Sequence, residues 1–307
     1  MSRDDGLRPG ESDPFGDEVR RRLMSLRGRL SPWLVSEFDD LMVRMRLLPG
    51  SGSLSHPLTQ PLVEFPTWVS RAVDHGSGRD ARLADMVEAT VTGYLYVRVH
   101  DDRLDDDLGN PDLAMFLADT FLIRHQSLIA RHVGTDPRFW ELFQSMADGY
   151  TNAMLLENRA LRREAHYDAA VFDRVLDRSQ PLVLPGAALL SVAGRWELLE
   201  PLQRFVRHTV RSGQLVDDLM DCLQDLERSR YTWVVRRLGG EQGHDVMLSR
   251  LIGTGVDEVV NDVFADLDSA LNAAEAVGMT DAVAWAAARR RSVLDLRERM
   301  LLSELFG

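Results

Sequence analysis

Five aspartates crowd into seven positions at Asp101-Asp102-Arg103-Leu104-Asp105-Asp106-Asp107, directly after the apolar run Tyr94-Leu95-Tyr96-Val97. A second run, Gln214-Leu215-Val216-Asp217-Asp218-Leu219-Met220-Asp221, leads on to Asp225. On a helix, side chains three or four residues apart share a face, with about 5 to 6 Å between β-carbons. Asp101 pairs with Asp105 in this way and Asp102 with Asp106, while Gln214, Asp217, Asp218, Asp221 and Asp225 are expected on one stripe. Like charges at that spacing destabilise a helix by about 0.2 to 0.5 kcal/mol per pair, and aspartate is a poor helix former. Something must compensate. Hard oxygen ligands, with neither sulfur nor paired imidazoles, suit Mg²⁺, which is held by one or two carboxylates together with phosphate oxygens. One acidic run alone is usually a solvated face. Two such runs, each closing an apolar helix and interleaved only by Arg103, point instead to a cation-mediated grip on a diphosphate.

Composition limits the partners. The formal charge of -12 argues against nucleic acid or an anionic membrane surface, since a phosphate polyelectrolyte would be repelled unless divalent cations intervened. Every fixed side-chain cation is an arginine, because the chain contains no lysine. The single cysteine, Cys222, excludes an intramolecular disulfide and a thiolate metal cluster, and fits a reducing, cytoplasmic setting. The stretch from Met1 to Asp17 is polar and lacks the apolar core of a signal peptide. No window approaches eighteen uninterrupted apolar residues, so no membrane span is expected.

The acidic runs need long helices to position them. Residues 1–15, rich in Gly, Pro, Ser and Asp, are read as a flexible tail, and residues 16–307 as one α-helical domain. Val19, Leu23, Leu26 and Leu30 recur at helical spacing, and Ser31-Pro32 reads as a cap opening a second helix towards Leu48. Pro49, Pro57, Pro61 and Pro66 forbid a long element between them. Asp80 is expected to cap a helix through about Asp106, Pro111 to open one through Val133, and Asp136-Pro137 to open another towards Arg163. Further helices are expected over 168–194, 196–228, 230–238, 243–275 and 279–304. No stretch alternates as a strand would, so the fold class is all-α, with short connections and antiparallel neighbours in a bundle.

These residues carry a resemblance. His-Asp-Asp-Arg-Leu-Asp-Asp-Asp at 100–107 and Gln-Leu-Val-Asp-Asp-Leu-Met-Asp at 214–221 resemble the two aspartate-rich motifs of the class I isoprenoid synthase superfamily, especially the trans-prenyl diphosphate synthases. The likeness runs from about Leu83 through Val234. It includes Gly109-Asn110-Pro111 after the first motif and Ser229-Arg230-Tyr231-Thr232 after the second. The resemblance implies a helical bundle around a deep apolar cavity, three Mg²⁺ ions, a bound prenyl diphosphate and a possible homodimer. By motif position Asp101 and Asp105 would be metal ligands, with Asp217 and Asp221 opposite. The implied chemistry is ionisation of an allylic diphosphate, with metals and arginines neutralising the leaving group and the aspartates acting as ligands, not as acids or bases.

The chain departs from the elongating members of that family. Their Gly-Lys-x-x-Arg-Pro signature falls on Gly52-Ser53-Leu54-Ser55-His56-Pro57, where both cations are missing. No arginine pair follows the first motif, and Ser179-Gln180 stands where those enzymes have Lys-Thr. Each lost charge-assisted bond is worth roughly 1.5 to 3 kcal/mol, enough together to abolish useful binding of isopentenyl diphosphate. The expected function is therefore a terpene cyclase that ionises one linear prenyl diphosphate, C15 or C20, and folds the cation onto its own double bonds. The alternative is a chain-elongating prenyltransferase or a non-catalytic subunit of one.

Arg178 and Arg230 are the foremost candidates to replace the missing lysines, with Arg159, Arg162 and Arg163 clustered between them and the first motif. Gln214 and Tyr231 are further expected substrate contacts. Tyr96 and Val97, one turn before Asp101, are expected to form the cavity floor, and Tyr94, Phe116, Phe143, Trp196 and Trp233 to offer π-faces to a carbocation. His100 is expected to orient Asp101, and His56 and Cys222 to be structural.

Overall fold

A computed structural model describes residues 14–45, 47, 61, 64–73, 81–104, 110–161 and 167–306. Among these residues every regular element is helical, so the chain is all-α as its periodicity requires. The α-helices are α1 (Pro14–Arg27), α2 (Pro32–Arg44), α3 (Glu64–Val73), α4 (Ala81–Leu104), α5 (Pro111–Val133), α6 (Pro137–Leu161), α7 (Ala169–Val175), α8 (Leu184–Ala193), α9 (Leu199–Glu227), α10 (Trp233–Arg237), α11 (His244–Arg250), α12 (Val256–Val277) and α13 (Asp281–Phe306). Residues 48–60, the proline-rich stretch with the Gly52–Pro57 signature, lie outside the described residues, as do 1–13, 105–109 and 162–166.

Proline at the first position, as expected, opens α2, α5 and α6. Asn110 caps α5 by accepting from the Leu113 amide at 3.2 Å. Three expected segments are broken by features that periodicity does not report. The 168–194 stretch divides into α7, a 3₁₀ run over Leu176–Val183 containing Pro181, and α8. A proline there removes an amide donor and crowds the preceding turn, which favours the tighter winding. The 243–275 stretch divides at a π turn, Leu251–Gly255. A β-carbon at Gly255 would lie 2.4 Å from Leu238 Cδ2 and 2.8 Å from the Arg250 carbonyl oxygen, so only glycine fits that approach. The 230–238 stretch shortens to α10, which Thr232 caps.

The chain forms two compact units. The first holds α1–α5 and, within Pro185–Arg195, most of α8; the second holds α6, α7 and α9–α13. In the first, Leu23, Phe38, Met42, Leu83, Leu95 and Phe121 form one apolar cluster between α1, α2, α4 and α5. Helices α4 and α5 approach so closely at Gly93 that a β-carbon there would lie 2.8 Å from His125 Nδ1, and His125 itself contacts the Ala89 carbonyl oxygen at 2.8 Å. In the second unit α9 packs along α12, and Phe205 of α9 meets Trp285 of α13 edge to face. No described helix is long and apolar enough to cross a membrane.

A charge network runs through the first unit. Glu88 is fully buried, and Arg22 Nη1 and Arg124 Nε donate to it at 3.0 and 2.6 Å. Arg22 Nη1 also donates to Asp85 at 2.6 Å, and His132 Nε2 lies 2.9 Å from the other Asp85 oxygen. Removing one partner of a buried ion pair leaves an uncompensated charge, at a cost of about 3 to 5 kcal/mol. Glu88 keeps Arg22 when Arg124 is lost, so Arg124→Met should lower the unfolding free energy by a smaller amount, about 1 to 3 kcal/mol, in urea titrations. Burial acts to raise the Asp85 carboxyl, but hydrogen bonds from Arg22 and His132 outweigh it and hold the group below its ordinary value. A carboxyl lowered on folding stabilises the protein above its unfolded pKa and loses that contribution as pH falls through the folded one. Stability should decline below about pH 4, and Asp85→Asn should flatten that decline in denaturant titrations at stepped pH.

Candidate active site

The second acidic motif occupies the last turns of α9, and the structure divides its expected stripe into two faces. Asp218 and Asp225 are buried and Gln214 is half-buried, whereas Asp217 and Asp221 are exposed together with Met220. The reason is angular. At 100° per residue Asp217 and Asp218 diverge too far for both to point inward, so the motif offers an inner pair and an outer pair. Asp217 and Asp221, one turn apart on the outer face, retain the spacing expected of metal ligands.

The inner face is wired by a continuous set of side chains. Arg178, in the 3₁₀ run, pairs through Nη1 with the buried Glu157 of α6 and donates through Nη2 to Gln214 Oε1 at 2.6 Å. Gln214 Nε2 then donates to Asp218 Oδ1 at 2.6 Å. The Arg178 contact fixes which way the Gln214 amide points, and the amide in turn orients Asp218. Burial pushes the Asp218 carboxyl up to about 7; the Gln214 bond opposes this, and the charge on Asp225 reinforces it. Tyr167, buried nearby, is pushed well above its usual value first by burial and then by Glu157 and Asp218.

Arg178 was expected to reach diphosphate. Its two terminal nitrogens are instead engaged by Glu157 and Gln214, because a guanidinium only 15 % exposed must satisfy its donors inside the unit.

The end of α9 sets Arg230 in place. The Ser229 amide donates to the Leu226 carbonyl and the Arg230 amide to the Asp225 carbonyl, at 3.0 and 2.8 Å, the paired pattern that closes a helix through a left-handed residue. That residue is Ser229, at φ 59°, a position that glycine usually fills. Arg230 is half-buried, and so is Tyr231, over whose ring Arg236 lies at 5.8 Å. Arg236 also donates to the Tyr231 and Ala160 carbonyl oxygens at 3.0 and 3.1 Å.

The first motif is described as far as Leu104; Asp105 lies outside the described residues, as does Arg163. Asp101 is half-buried near the end of α4. Asp102 is almost fully buried and takes charge-assisted contacts from Arg98 at 2.8 Å and Arg44 at 2.9 Å. Arg98 corrects the reading that Arg103 alone interrupts the acidity. Tyr96 and Val97 are half-buried, and His100 Nδ1 lies 2.9 Å from the Tyr96 carbonyl oxygen, which commits that nitrogen to its own helix. Phe116, expected in a cavity, is 62 % exposed, and Arg159 is exposed as well. Trp233 stacks on the buried Phe172 at 6.0 Å, and Trp196 lies under Arg138.

Two residues near the second motif were not expected. Glu157 falls in the buried register Met146, Tyr150, Ala153, Glu157, Ala160 of α6. Arg289 of α13 is completely buried, in the same register as Ala286 and Val293. Burial lowers Arg289 to about 10, opposed by the negative charge of Asp217. In both cases the legible signal was a charge at a position where the helical pattern asks for an apolar side chain.

Among the described residues no three carboxylate, imidazole or thiol groups gather into a metal site. The donors still suit a hard cation whose shell is completed by phosphate and water: Asp217 and Asp221 present exposed carboxylate oxygens, with no thiolate or imidazole at the motif.

No sequence-family model matches the chain, and no curated protein matches it. Solved structures do. Heptaprenyl diphosphate synthase from Staphylococcus aureus superposes with a TM-score of 0.68 at 14 % identity, over 93 % of this chain and 97 % of that one. The chain has the isoprenoid synthase fold. Geranylgeranyl pyrophosphate synthetase from Pyrococcus horikoshii gives 0.65 at 12 % identity, over 93 % and 95 % of the two chains. Polyprenyl synthase from Caulobacter crescentus, complexed with calcium and isoprenyl diphosphate, gives 0.58 at 15 % identity, over 91 % and 96 %.

Within this isoprenoid synthase fold, Gln214 is the joint of the inner face. Gln214→Leu removes an acceptor from Arg178 and a donor from Asp218 together, which should destabilise the protein by about 1 to 3 kcal/mol in urea titrations.

Proposed function

We propose that the chain is a magnesium-dependent enzyme of prenyl diphosphate chemistry, which ionises an allylic diphosphate and passes the prenyl cation to an acceptor as the elongating synthases do. The observation that carries this reading is the fold shared with prenyl diphosphate synthases in a chain that bears both aspartate-rich motifs.

The residues divide the work by position. Asp101, Asp105, Asp217 and Asp221 are the proposed metal ligands by their places in the two motifs. Asp218 and Gln214 form the inner support that keeps the α9 carboxylates in register. Arg230, held just beyond α9 by its closing turn, supplies fixed positive charge to the departing diphosphate, beside Tyr231. Bound Mg²⁺ would add the larger share of that charge and so lower the barrier to C–O cleavage. Tyr96 and Val97, one turn before Asp101, are the proposed contacts of the prenyl chain.

One observation favours a second reading, cyclisation of a single substrate. Arg178 is committed to Glu157 and Gln214, and its neighbours Ser179 and Gln180 are uncharged, so this segment presents no ready cation for a second diphosphate.

Purified protein incubated with C10, C15 and C20 allylic diphosphates and Mg²⁺, with and without labelled isopentenyl diphosphate, separates the two. Label in a longer prenyl diphosphate supports elongation; label-free hydrocarbon or terpene alcohol supports cyclisation. Pyrophosphate release from none of them would end both readings. Asp217→Asn and Asp221→Asn should each reduce turnover by about 10² to 10³, as expected when a group that stabilises transition-state charge is lost. The exposed Asp221→Asn should melt close to wild type, whereas Asp217→Asn also removes the charge that supports the buried Arg289 and should melt lower.

A further inference from the structure

We infer that Glu157 is a specificity-determining residue, holding Arg178 inward against Gln214 and withholding its charge from phosphate. This rests on the proposed prenyl diphosphate chemistry for its biological meaning and on the geometry of the second unit for its physics.

An arginine that recognises phosphate commonly presents two parallel N–H bonds from one edge of its guanidinium. The Arg178 fork is divided instead, one terminal nitrogen to the Glu157 carboxylate and the other to the Gln214 amide oxygen. The Glu157 carboxylate is in direct contact, so the pairing offsets the guanidinium charge towards an approaching anion. The surroundings deepen the effect. Asp218 and Asp225 lie on the same inner face of α9, and Ser179 and Gln180 follow Arg178 without a cation. The nearby Arg236 is occupied by Glu241 and by the Tyr231 and Ala160 carbonyl oxygens. Arg178 nonetheless retains 15 % side-chain exposure, so an anion can still approach one edge of it.

The charge of Glu157 can be removed with little change of shape. A glutamine there keeps the length and one oxygen acceptor for Arg178, while removing the charge that offsets the guanidinium. The guanidinium then has reason to turn outward to an anion.

The test is calorimetric titration of the full chain with inorganic pyrophosphate, with and without Mg²⁺, for wild type, Glu157→Gln and Glu157→Gln/Arg178→Gln. Glu157→Gln should bind pyrophosphate about tenfold more tightly, equivalent to about 1.4 kcal/mol, and the double variant should lose that gain. An unchanged affinity in a Glu157→Gln protein that melts like wild type would overturn the inference. So would a gain that survives loss of Arg178. If Glu157→Gln is not recovered folded, Arg178→Gln alone serves: its pyrophosphate affinity should equal that of wild type, and a tenfold loss would overturn the inference. Wild-type turnover measured in parallel keeps the two claims apart. Product formation with no pyrophosphate gain in Glu157→Gln removes the role of Glu157 and leaves the proposed function. A gain in a protein that turns over no prenyl diphosphate does the reverse.

Discussion

The pairing of Glu157 with Arg178 is the contact on which the inner face of the second motif depends. A carboxylate and a guanidinium removed from water each lose several kcal/mol of solvation, which is recovered only if they meet with good geometry and their remaining donors and acceptors are satisfied. Gln214 answers that demand for Arg178 and transmits it to Asp218. Four side chains from α6, the 3₁₀ run and α9 therefore settle together, and the position of each is a condition for the next. In this way a buried charge on one helix comes to orient the inner residues of an acidic motif on another.

The first unit solves the same electrostatic problem differently. Glu88 is buried completely, yet it meets two arginines from flanking helices, and Asp85 one turn away meets an arginine and a histidine. Asp102, inside the first acidic run, is likewise neutralised by Arg44 and Arg98. Part of that run is thus structural, and the density of aspartate that draws attention in the sequence serves two purposes. Asp102 holds α4 against its neighbours, while half-buried Asp101, one position round the helix, keeps the ligand role proposed from its motif. The chain contains no lysine, so arginine performs every one of these pairings apart from those of histidine. Its planar, permanently charged fork can divide between two partners, as Arg178 does, where an ammonium would act as a point charge.

Much of the fold was legible in advance. The ends of α5 at Pro111 and Val133 follow from a proline at the first helical position and a glycine just past the last. The π turn at Leu251–Gly255 and the 3₁₀ run through Pro181 were not legible as such, because apolar periodicity passes through both without a break. The candidate site was readable in kind more than in arrangement. The motif residues, the oxygen-rich donor set and the turn after α9 could all be named from residue types and spacing. The division of Gln214 to Asp225 into an inner and an outer face could not, since periodicity says which residues are neighbours and not which side is covered.

By itself the sequence determined that this chain is helical, that it concentrates carboxylates at two helix ends, and that its motifs resemble those of prenyl diphosphate enzymes. These are local properties, set by side chains within a few residues of one another. Only the tertiary structure decided which charges are spent on the fold and which remain for chemistry. Glu157 and Arg178 are separated by 21 residues, and Arg178 and Gln214 by 36, so no local pattern predicts their meeting. Whether an arginine is a phosphate ligand or the partner of a buried glutamate depends on what the rest of the unit places beside it, and that is settled only when the helices pack.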